Sequence, residues 1–205
     1  MSPDEFAAEA NVSRETLARL KAYVGLLTDW NARHNLVSAS SLDDVWRRHI
    51  LDSAQLARFI PANAESLVDL GSGAGLPGLV LATLLRDRAR FRTVLYEATR
   101  KKSEFLAATA ERLGLLVETR NARIESATPE PFDVVVARAL GPLDKLLTLA
   151  HPFQGKETQN LFLKGQNVEA ELTLAHKSWR MTLDRHPSQS GPSGTILAIR
   201  DLRHA

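Results

Sequence analysis

The amino-acid sequence predicts an α/β fold in which an N-terminal helical segment precedes a mostly parallel sheet with one antiparallel strand near the C-terminus. Residues 1–62 show only helical spacing of apolar residues, whereas short apolar runs alternate with helical stretches in residues 63–205. A glycine-rich turn follows the first of these runs, as is typical of parallel sheets that bind nucleotides. We therefore expect a helical segment over residues 1–62 that packs on an α/β domain over residues 63–205.

The helical segment is predicted to contain two helices. From Ser13 to Asn31, apolar residues recur every three or four positions, which places one apolar stripe on one face of a helix. A second helix is predicted from Leu42 to Phe59, because its apolar residues share a face and Pro61 follows its end. We expect this segment to pack beside the ligand-binding face of the sheet.

Seven short runs in residues 63–205 are predicted to be strands. They lie at 66–70, 93–96, 115–119, 132–137, 161–164, 179–184 and 195–200. A helix from Lys101 to Leu113, ended by Gly114, is predicted between the second and third strands. The last two strands are separated by a loop too short for a crossover helix, so we expect them to pair antiparallel.

Composition excludes several classes of protein. The sequence has no cysteine, which excludes disulfides, thiolate metal ligands and cysteine nucleophiles. No run of eighteen apolar residues occurs and the first residues are acidic, so we expect neither a membrane span nor export, and predict a cytoplasmic protein. The histidines show no metal-ligand spacing, so no metal is expected. Nothing in the sequence demands a partner chain, and we expect a monomer.

The glycine-rich turn from Asp69 to Gly78 is the strongest indication of a ligand. Its glycines permit a tight turn and a close approach at the strand ends where open α/β sheets bind ligands. Gly73, Gly75 and Gly78 also match the dinucleotide-binding spacing, so NAD and S-adenosylmethionine compete as ligands. Asp69 favours S-adenosylmethionine, because a carboxylate before the turn would repel a pyrophosphate but suit an ammonium and a sulfonium.

Two further residues bear on the ligand. Pro77 is predicted at the first position of the following helix, where its missing N–H would leave a pyrophosphate one donor short. Glu97, at the end of the second strand, can accept hydrogen bonds from both ribose hydroxyls of an adenosine. Glu97 could therefore bind the ribose of NAD or of S-adenosylmethionine, and it does not indicate which of the two is the ligand.

The class of methyl acceptor is narrowed by what the sequence lacks. C5 methylation of a pyrimidine requires a cysteine nucleophile, and the sequence has none. Exocyclic-amine methylation commonly uses an Asp/Asn-Pro-Pro-aromatic stretch after the fourth strand, where this chain has Arg138-Ala139-Leu140. A guanine N7 has an unprotonated in-plane lone pair, so in-line positioning suffices for transfer. The sequence accordingly offers no residue that would act as a general acid, general base or nucleophile, which suits this acceptor.

Several separate motifs resemble one family over nearly the whole chain. They are Trp30-Asn31, Asn35-Leu36, the run from Arg48 to Ser53, the glycine turn with its Leu-Pro-Gly ending, Lys102 with Phe105-Leu106, Arg123-Ile124-Glu125, Asp133 through Arg138-Ala139, and Lys164-Gly165-Gln166. In these motifs the chain resembles the bacterial small-subunit ribosomal RNA guanine-N7 methyltransferases, the RsmG or glucose-inhibited division protein B family. The resemblance implies a Rossmann-like class I methyltransferase fold and S-adenosyl-L-methionine as cofactor. It also implies, as substrate, one guanine in the decoding-region loop of 16S ribosomal RNA, expected at position 527, with that RNA or the small ribosomal subunit as partner.

The resemblance also implies a donor site, to which the chemistry of the glycine turn adds Asp69. Its residues are Asp69, Gly71, Gly73, Gly75, Leu76, Glu97, Ile124, Glu125 and Arg138. The position of Glu97 is often aspartate in such proteins, a change that keeps the carboxylate but lengthens its reach. Ile124 can cover the adenine face while Glu125 or its backbone contacts the adenine edge.

Basic residues near predicted loops are candidates for binding RNA phosphates, which position a substrate without reading its sequence. They are Arg47, Arg48, Arg123 and Lys164. Arg138 can bind the donor's carboxylate or an RNA phosphate, with an ion pair to a nearby acid as the alternative. Arg138 and Lys164 are the positioning candidates. His49 and Asp52, three residues apart, are expected to bond the helical segment to the glycine turn or to Asn35.

Two other functions stay open on the sequence alone. The dinucleotide spacing allows an NAD-dependent oxidoreductase with a Rossmann fold. A non-catalytic RNA-binding module with a decayed site is the third interpretation, against which the intact turn from Asp69 to Gly78 argues. The sequence also leaves open whether free RNA or an assembled subunit is the substrate.

Overall fold

Seven strands form one sheet in the computed structural model, which describes all 205 residues. The strands are β1 (Ser66–Leu70), β2 (Arg92–Tyr96), β3 (Val117–Arg120), β4 (Phe132–Arg138), β5 (Gln154–Lys164), β6 (Trp179–Pro187) and β7 (Thr195–His204). Their order across the sheet is β3-β2-β1-β4-β5-β7-β6. β7 runs antiparallel to both β5 and β6, and the other neighbouring strands are parallel. The predicted mostly parallel sheet with one antiparallel strand is therefore confirmed.

Eight α-helices accompany the sheet. They are α1 (Pro3–Ala10), α2 (Arg14–His34), α3 (Ala39–Leu42), α4 (Asp52–Ala54), α5 (Gly78–Leu85), α6 (Arg100–Leu113), α7 (Leu143–Ala150) and α8 (Val168–Ala175). α2 matches the first predicted helix, and α6 matches the helix predicted before Gly114, whose φ of +63° ends it. None of these helices combines the length and the apolar character that a membrane crossing would need.

The single helix predicted from Leu42 to Phe59 is wrong. After α3 the chain forms a π-helix over Trp46–Leu51, then the short α4, then a 3₁₀ turn over Gln55–Phe59. In an α-helix, Leu51 would lie well away from the face that carries Trp46. The wider π turn brings both side chains onto one face, and both are buried. Tertiary packing therefore overrides the α-helical spacing here.

The first helix, α1, is missing from the sequence prediction. It begins with a capping box, in which Glu5 N–H donates to the Ser2 hydroxyl at 3.1 Å and Ser2 N–H donates to the Glu5 carboxylate at 2.6 Å. Phe6 is its one buried side chain and contacts Trp46 with ring centroids 5.5 Å apart. The Ser-x-x-Glu spacing was the signal that could have located this helix.

Strand β5 is longer than the predicted 161–164 because buried amide side chains extend it towards its start. Asn160 donates through Nδ2 to Gln154 Oε1 at 2.9 Å and to the Ile199 carbonyl at 3.1 Å. Thr158 donates its hydroxyl to the Phe132 carbonyl at 2.7 Å. These bonds satisfy polar groups inside the sheet, so the strand does not require an apolar sequence.

The helical segment and the α/β domain share one apolar cluster. It joins Phe6, Leu20, Tyr23, Leu27, Trp46 and Ile50 of the segment to Leu76, Leu79, Leu95, Phe105 and Leu106 of the domain. The rings of Trp30 and Phe105 lie 5.4 Å apart between centroids. The segment thus packs on the side of the sheet that carries α5 and α6, whereas α7 and α8 contribute to the cluster on the opposite side.

Candidate donor and substrate site

The carboxyl ends of β1, β2 and β4 border a cavity of about 400 Å³. Of the nine residues predicted for the donor site, seven line this cavity. They are Gly71, Gly73, Leu76, Glu97, Ile124, Glu125 and Arg138. The strands bring them together because parallel strands end at the same edge of the sheet.

The turn after β1 adopts a backbone conformation that favours glycine. Gly71, Gly73 and Gly75 have φ values of +71°, +56° and +90°. At Gly71 a Cβ would also approach Leu140 Cδ1 to 2.5 Å. Around Gly73 the space is open, since a Cβ would have no closer neighbour than the Gly71 carbonyl oxygen at 3.9 Å. The turn therefore exposes its backbone to the cavity at Gly73.

Asp69 and Gly75 do not line the cavity, so the structure does not place them in contact with a ligand. Asp69 is fully buried behind the turn, and its Oδ2 accepts a hydrogen bond from Gly78 N–H at 2.9 Å. Burial raises the pKa of Asp69 to about 7, and its Oδ1 has no hydrogen-bond partner. The carboxylate therefore supports the turn at the beginning of α5 instead of facing the cavity as the sequence analysis assumed.

Pro77 precedes α5 by one residue instead of occupying its predicted first position. Pro77 has no N–H, and the Gly78 N–H is bonded to Asp69. A Cβ at Gly78 would approach Asp69 Oδ2 to 2.6 Å, so the close packing requires glycine. Two backbone positions at this helix N-terminus are therefore unable to donate to a pyrophosphate.

Glu97 is buried at the end of β2, with its carboxylate on the cavity wall. Its Oε2 accepts from Gly73 N–H at 2.9 Å and its Oε1 accepts from Thr99 N–H at 2.7 Å. Asn121 donates to the Glu97 carbonyl at 2.9 Å. Each carboxylate oxygen retains capacity for another donor, so a fixed pair of acceptors faces the cavity.

The helical segment contributes a wall that sequence reasoning missed. Leu36 and Val37 line the cavity, and Val37 N–H donates to Asn31 Oδ1 at 2.8 Å. Tyr23 of α2 donates its buried hydroxyl to the Ala74 carbonyl at 2.7 Å. The Asn35-Leu36 motif of the resemblance marked this region, but only the fold shows that it reaches the glycine turn.

Arg138 connects the end of β4 with the π-helix. Its Nη1 donates to the Arg48 carbonyl at 3.2 Å and to His49 Nδ1 at 3.0 Å, and lies 3.5 Å from Asp52 Oδ2. The ion pair with a nearby acid, the alternative considered for Arg138, is thus present as a long contact. His49 and Asp52 bond the segment to β4, and not to the glycine turn or Asn35, so the predicted partners are wrong.

The protonation of His49 follows from this arrangement. Burial, together with the charges of Arg138 and Arg48, lowers the pKa of His49 to about 4, so its ring is neutral near pH 7. A guanidinium only donates hydrogen bonds, so Nδ1 accepts from Arg138. The other ring nitrogen then carries the proton and donates to Ser41 Oγ at 2.8 Å.

A second cavity, of about 470 Å³, adjoins the first and shares Arg138 and Ala139 with it. Lys164 lines this second cavity but is nearly buried, with 8% of its side chain exposed. Its Nζ lies 2.6 Å from Glu171 Oε2 and donates to the Gly141 carbonyl at 2.6 Å. The ammonium that was predicted to contact RNA is therefore engaged within the protein.

The other predicted RNA-binding residues lie in different places. Arg48 borders the second cavity and Arg123 borders the first, where it is exposed. Arg47 lines neither cavity and has its Nε 3.8 Å from Asp44. Lys145 lines the first cavity as well, although no motif singled it out. It lies in the first turn of α7, which begins at Leu143, a short turn after β4 ends at Arg138.

In sequence comparison, the matching family model and the relatives described here carry the same protein name. The family model for rRNA small subunit methyltransferase G, GidB, matches residues 16–191. The protein named ribosomal RNA small subunit methyltransferase G of Parvibaculum lavamentivorans is 48% identical over 201 residues, 97% of this chain and 89% of that protein. The protein of the same name from Rhodospirillum rubrum is 46% identical over 205 residues, covering both chains completely.

Solved structures show the same fold at low sequence identity. A SAM dependent methyltransferase from Aquifex aeolicus superposes with a TM-score of 0.61 at 15% identity, over 78% of this chain and 95% of that one. The O-methyltransferase from Bacillus cereus in complex with SAH gives a TM-score of 0.60 at 18% identity, over 87% of this chain and 90% of that one. The predicted Rossmann-like methyltransferase fold is therefore confirmed. By its sequence and its fold, the chain belongs to the GidB family of rRNA small subunit methyltransferases G.

Proposed function

We propose that the protein transfers a methyl group from S-adenosyl-L-methionine to N7 of a guanine in 16S ribosomal RNA. The observation that carries this proposal is the cavity beside the glycine turn, in a chain whose relatives are named as small-subunit ribosomal RNA methyltransferases. When bound, S-adenosylmethionine supplies a methyl group on a positively charged sulfur. The residues of the chain need only hold donor and acceptor in line.

The first cavity fits an adenosine-bearing donor. The two Glu97 oxygens, fixed by the N–H groups of Gly73 and Thr99, offer paired acceptors for the two ribose hydroxyls. Ile124 gives an apolar surface for the adenine, and the open backbone at Gly73 leaves room for the chain of the donor. Asp69 holds the turn from behind through Gly78.

Transfer to N7 agrees with the groups at the site. The N7 lone pair attacks without losing a proton, so the reaction requires no general base. The site offers no cysteine, because the chain has none, and the carboxylate of Glu97 is already bonded to backbone N–H groups. Arg138 lies between the two cavities, where its remaining N–H groups can hold the donor or the base in place.

An NAD-dependent oxidoreductase is the less favoured function. A dinucleotide-binding turn presents backbone N–H groups at the helix N-terminus to the pyrophosphate. Here Pro77 has no N–H and Asp69 accepts the N–H of Gly78. The helix terminus is thus occupied by the protein's own carboxylate, which argues against a diphosphate at this position.

RNA would approach across the shared edge of the two cavities. Arg48 and Arg123 border them and can contact phosphates, together with Lys102 and Lys145 at the first cavity. We assign Lys164 a positioning role through Glu171, and give Arg47 only a peripheral phosphate contact. We also propose that the protein acts as a monomer, on the RNA or on the small subunit, in the cytoplasm.

The test combines binding with methyl transfer. Purified protein is incubated with S-adenosylmethionine labelled in its methyl group and with 16S RNA or small subunits from a strain that lacks this methylation. We expect label in one guanine, as N7-methylguanine, and tighter calorimetric binding of S-adenosylhomocysteine than of NAD. No label in either RNA substrate, or tighter binding of NAD, would overturn the proposal.

A further inference from the structure

We infer that Asp52 and Arg138 together read the base edge of the target guanine in the second cavity. This inference rests on the proposed function and assigns the specificity for guanine to a particular pair of side chains. The second cavity adjoins the donor cavity at Arg138 and Ala139. A base held there would have its N7 directed towards the donor while its opposite edge meets the wall that contains Asp52.

One of the two residues that the cavities share has an unusual backbone conformation. Ala139 lines both cavities and has a φ of +54°, a left-handed conformation that non-glycine residues rarely adopt. Such a backbone conformation persists only where the surrounding structure fixes it, and it is frequent in ligand sites.

Asp52 has one well-bonded oxygen and one nearly free oxygen. Its Oδ1 accepts from Ser190 Oγ at 2.6 Å, from Gln55 Nε2 at 3.1 Å and from Ser188 Oγ at 3.2 Å. Its Oδ2 has only the Arg138 contact at 3.5 Å, much longer than a typical charge-assisted hydrogen bond. The carboxylate is thus fixed in orientation, with an acceptor still available on the wall of the second cavity.

Arg138 has free donors next to that acceptor. All its bonds in the protein are made by Nη1, to the Arg48 carbonyl, to His49 Nδ1 and towards Asp52. The N–H groups of Nε and Nη2 are left for a ligand. Because neutral His49 holds the guanidinium through Nδ1, the donor and the acceptor have a fixed relative position.

This pair is complementary to guanine and not to adenine. Guanine carries the acceptor O6 beside the donors N1–H and N2–H₂, so the guanidinium can donate to O6 while Asp52 Oδ2, the carboxylate oxygen that has only the long Arg138 contact, accepts from N1–H and N2–H₂. Adenine carries a donor and an acceptor in the opposite order and would leave both protein groups unpaired. The contacts leave N7 unbound, as the methyl transfer requires.

The other carboxylate of the second cavity, Glu171, is paired with a lysine and not with Arg138. Glu171 Oε2 already lies 2.6 Å from Lys164 Nζ and accepts from Leu143 N–H at 2.7 Å. Its charge is thus compensated within the protein, and the same contacts fix the position of Lys164. Asp52 is the acidic group of this cavity that lies beside the guanidinium of Arg138, with Nη1 3.5 Å from its Oδ2.

The experiment compares guanosine with inosine, which lacks only the N2 amino group. The target nucleotide is replaced by inosine through ligation of synthetic RNA, and kcat/KM is measured for wild type, Asp52→Asn and the matched control Asp43→Asn. Asp43 is an exposed carboxylate of the same segment that lines neither cavity, so its variant carries the same change of charge. Calorimetry with S-adenosylhomocysteine measures the donor site separately.

We expect wild type and Asp43→Asn to prefer guanosine over inosine by about 10-fold to 100-fold, the effect of one hydrogen bond to a charged group. Asp52→Asn should lose at least about tenfold in kcat/KM on guanosine, and its preference should fall to about threefold or less, with donor affinity unchanged. Equal rates of the wild type on guanosine and inosine, or an unchanged preference in Asp52→Asn, would overturn this inference but leave the proposed methyl transfer standing. Failure of wild type to methylate guanosine RNA at all would remove the proposed function, and the inference with it.

Discussion

Asp69 supports the glycine turn from behind without lining the first cavity. The carboxylate is fully buried, accepts one hydrogen bond from Gly78 and has one oxygen without a partner. Burial raises its pKa to about 7, which means that the folded protein holds a proton that the unfolded chain releases. The turn that lines the donor cavity is therefore stabilised in a manner that depends on pH.

The first prediction concerns this pH dependence. Since the folded pKa is raised, the contribution of Asp69 to stability is present below the unfolded pKa of about 4 and is lost as the pH rises towards 7. Asp69→Asn should therefore become more stable relative to wild type between pH 4 and pH 7, with a slope of up to about 1.4 kcal/mol per pH unit. Urea unfolding at several pH values measures this difference.

His49 does not disturb this comparison. Its pKa is lowered to about 4, so its contribution to stability is present above its unfolded pKa of about 6.5 and is lost as the pH falls. This sign is opposite to that of Asp69, and both proteins retain His49, so the effect cancels in the difference. A difference in unfolding free energy that is constant from pH 4 to pH 7 would show that Asp69 titrates normally in the folded state.

At Gly73, the effect of backbone strain can be distinguished from the effect of filling the space that the ligand would occupy. Gly73→Val should weaken S-adenosylhomocysteine binding by at least about tenfold, because the new side chain enters open space beside the cavity. Gly114→Val is the matched control, since Gly114 has a similar φ of +63°, free space around it and no place in the cavity.

Both variants should lose about 1 to 2 kcal/mol of unfolding free energy from the left-handed backbone. Only Gly73→Val should lose donor affinity in calorimetry. If Gly114→Val lost the same affinity, the effect would come from general destabilisation, and wild-type affinity in Gly73→Val would contradict the assignment of the turn.

At the scale of elements, α2 holds the glycine turn from the side of the helical segment. Tyr23 donates to the Ala74 carbonyl inside the apolar cluster, where both residues are buried. Trp30 of the same helix contacts Phe105 of α6. The helix therefore connects the turn after β1 with the helix after β2, and both border the donor cavity.

The third prediction tests this connection with Tyr23→Phe. The change leaves the Ala74 carbonyl buried without a donor, so the unfolding free energy should fall by about 1 to 3 kcal/mol. Thr28→Val is the matched control on the same helix, because the Thr28 hydroxyl also donates to a backbone carbonyl but is exposed. We expect Thr28→Val to change stability by less than about 0.5 kcal/mol, and equal losses for the two variants would argue against the connection.

The elements also show what sequence patterns can and cannot reveal. The turn from Asp69 to Gly78 was predictable because β1 is a short apolar run followed directly by glycines, and β2 and β4 were predictable because each is a short run rich in apolar residues. The π-helix over Trp46–Leu51 was not, since its register depends on packing against α1 and the domain. For the same reason the contact between Arg138 and Asp52, which are distant in sequence, was beyond any local pattern.

The candidate site was predictable to a similar extent. The residues that line the donor cavity lie at strand ends and turns, where the resemblance and the chemistry of glycine locate them. Asp69 was predicted to face the ligand and is buried instead, because a sequence does not show on which side of a turn a carboxylate lies. Lys164 was predicted to contact RNA and is paired with Glu171 instead. Leu36 and Val37 reach the cavity only through the fold of the helical segment.

On the scale of the whole molecule, the helical segment forms part of the protein's core. The shared cluster joins side chains of residues 1–62 to those of the sheet and of α5 and α6. The two cavities are likewise closed by residues from both parts, since Leu36 borders the first and Asp52 the second. The segment predicted to pack on the domain is thus expected to unfold together with it.

The fourth prediction follows from this shared core. The full chain should unfold in one calorimetric transition, and a chain limited to residues 63–205 should show no cooperative transition, because Leu79, Phe105 and Leu106 would lose their cover. Scanning calorimetry of both chains makes the comparison. A cooperative transition in the shortened chain, or two separate transitions in the full one, would show that the segment is an independent unit.

The most direct test of the central claim is to map modified nucleotides in 16S ribosomal RNA by mass spectrometry. The RNA is taken from cells with the gene, from cells without it, and from the deletion strain complemented with Gly73→Val. We predict that a single guanine carries an N7 methyl group only in cells with the wild-type gene. An unchanged methylation pattern after deletion, or a lost methyl group on another base or atom, would contradict it.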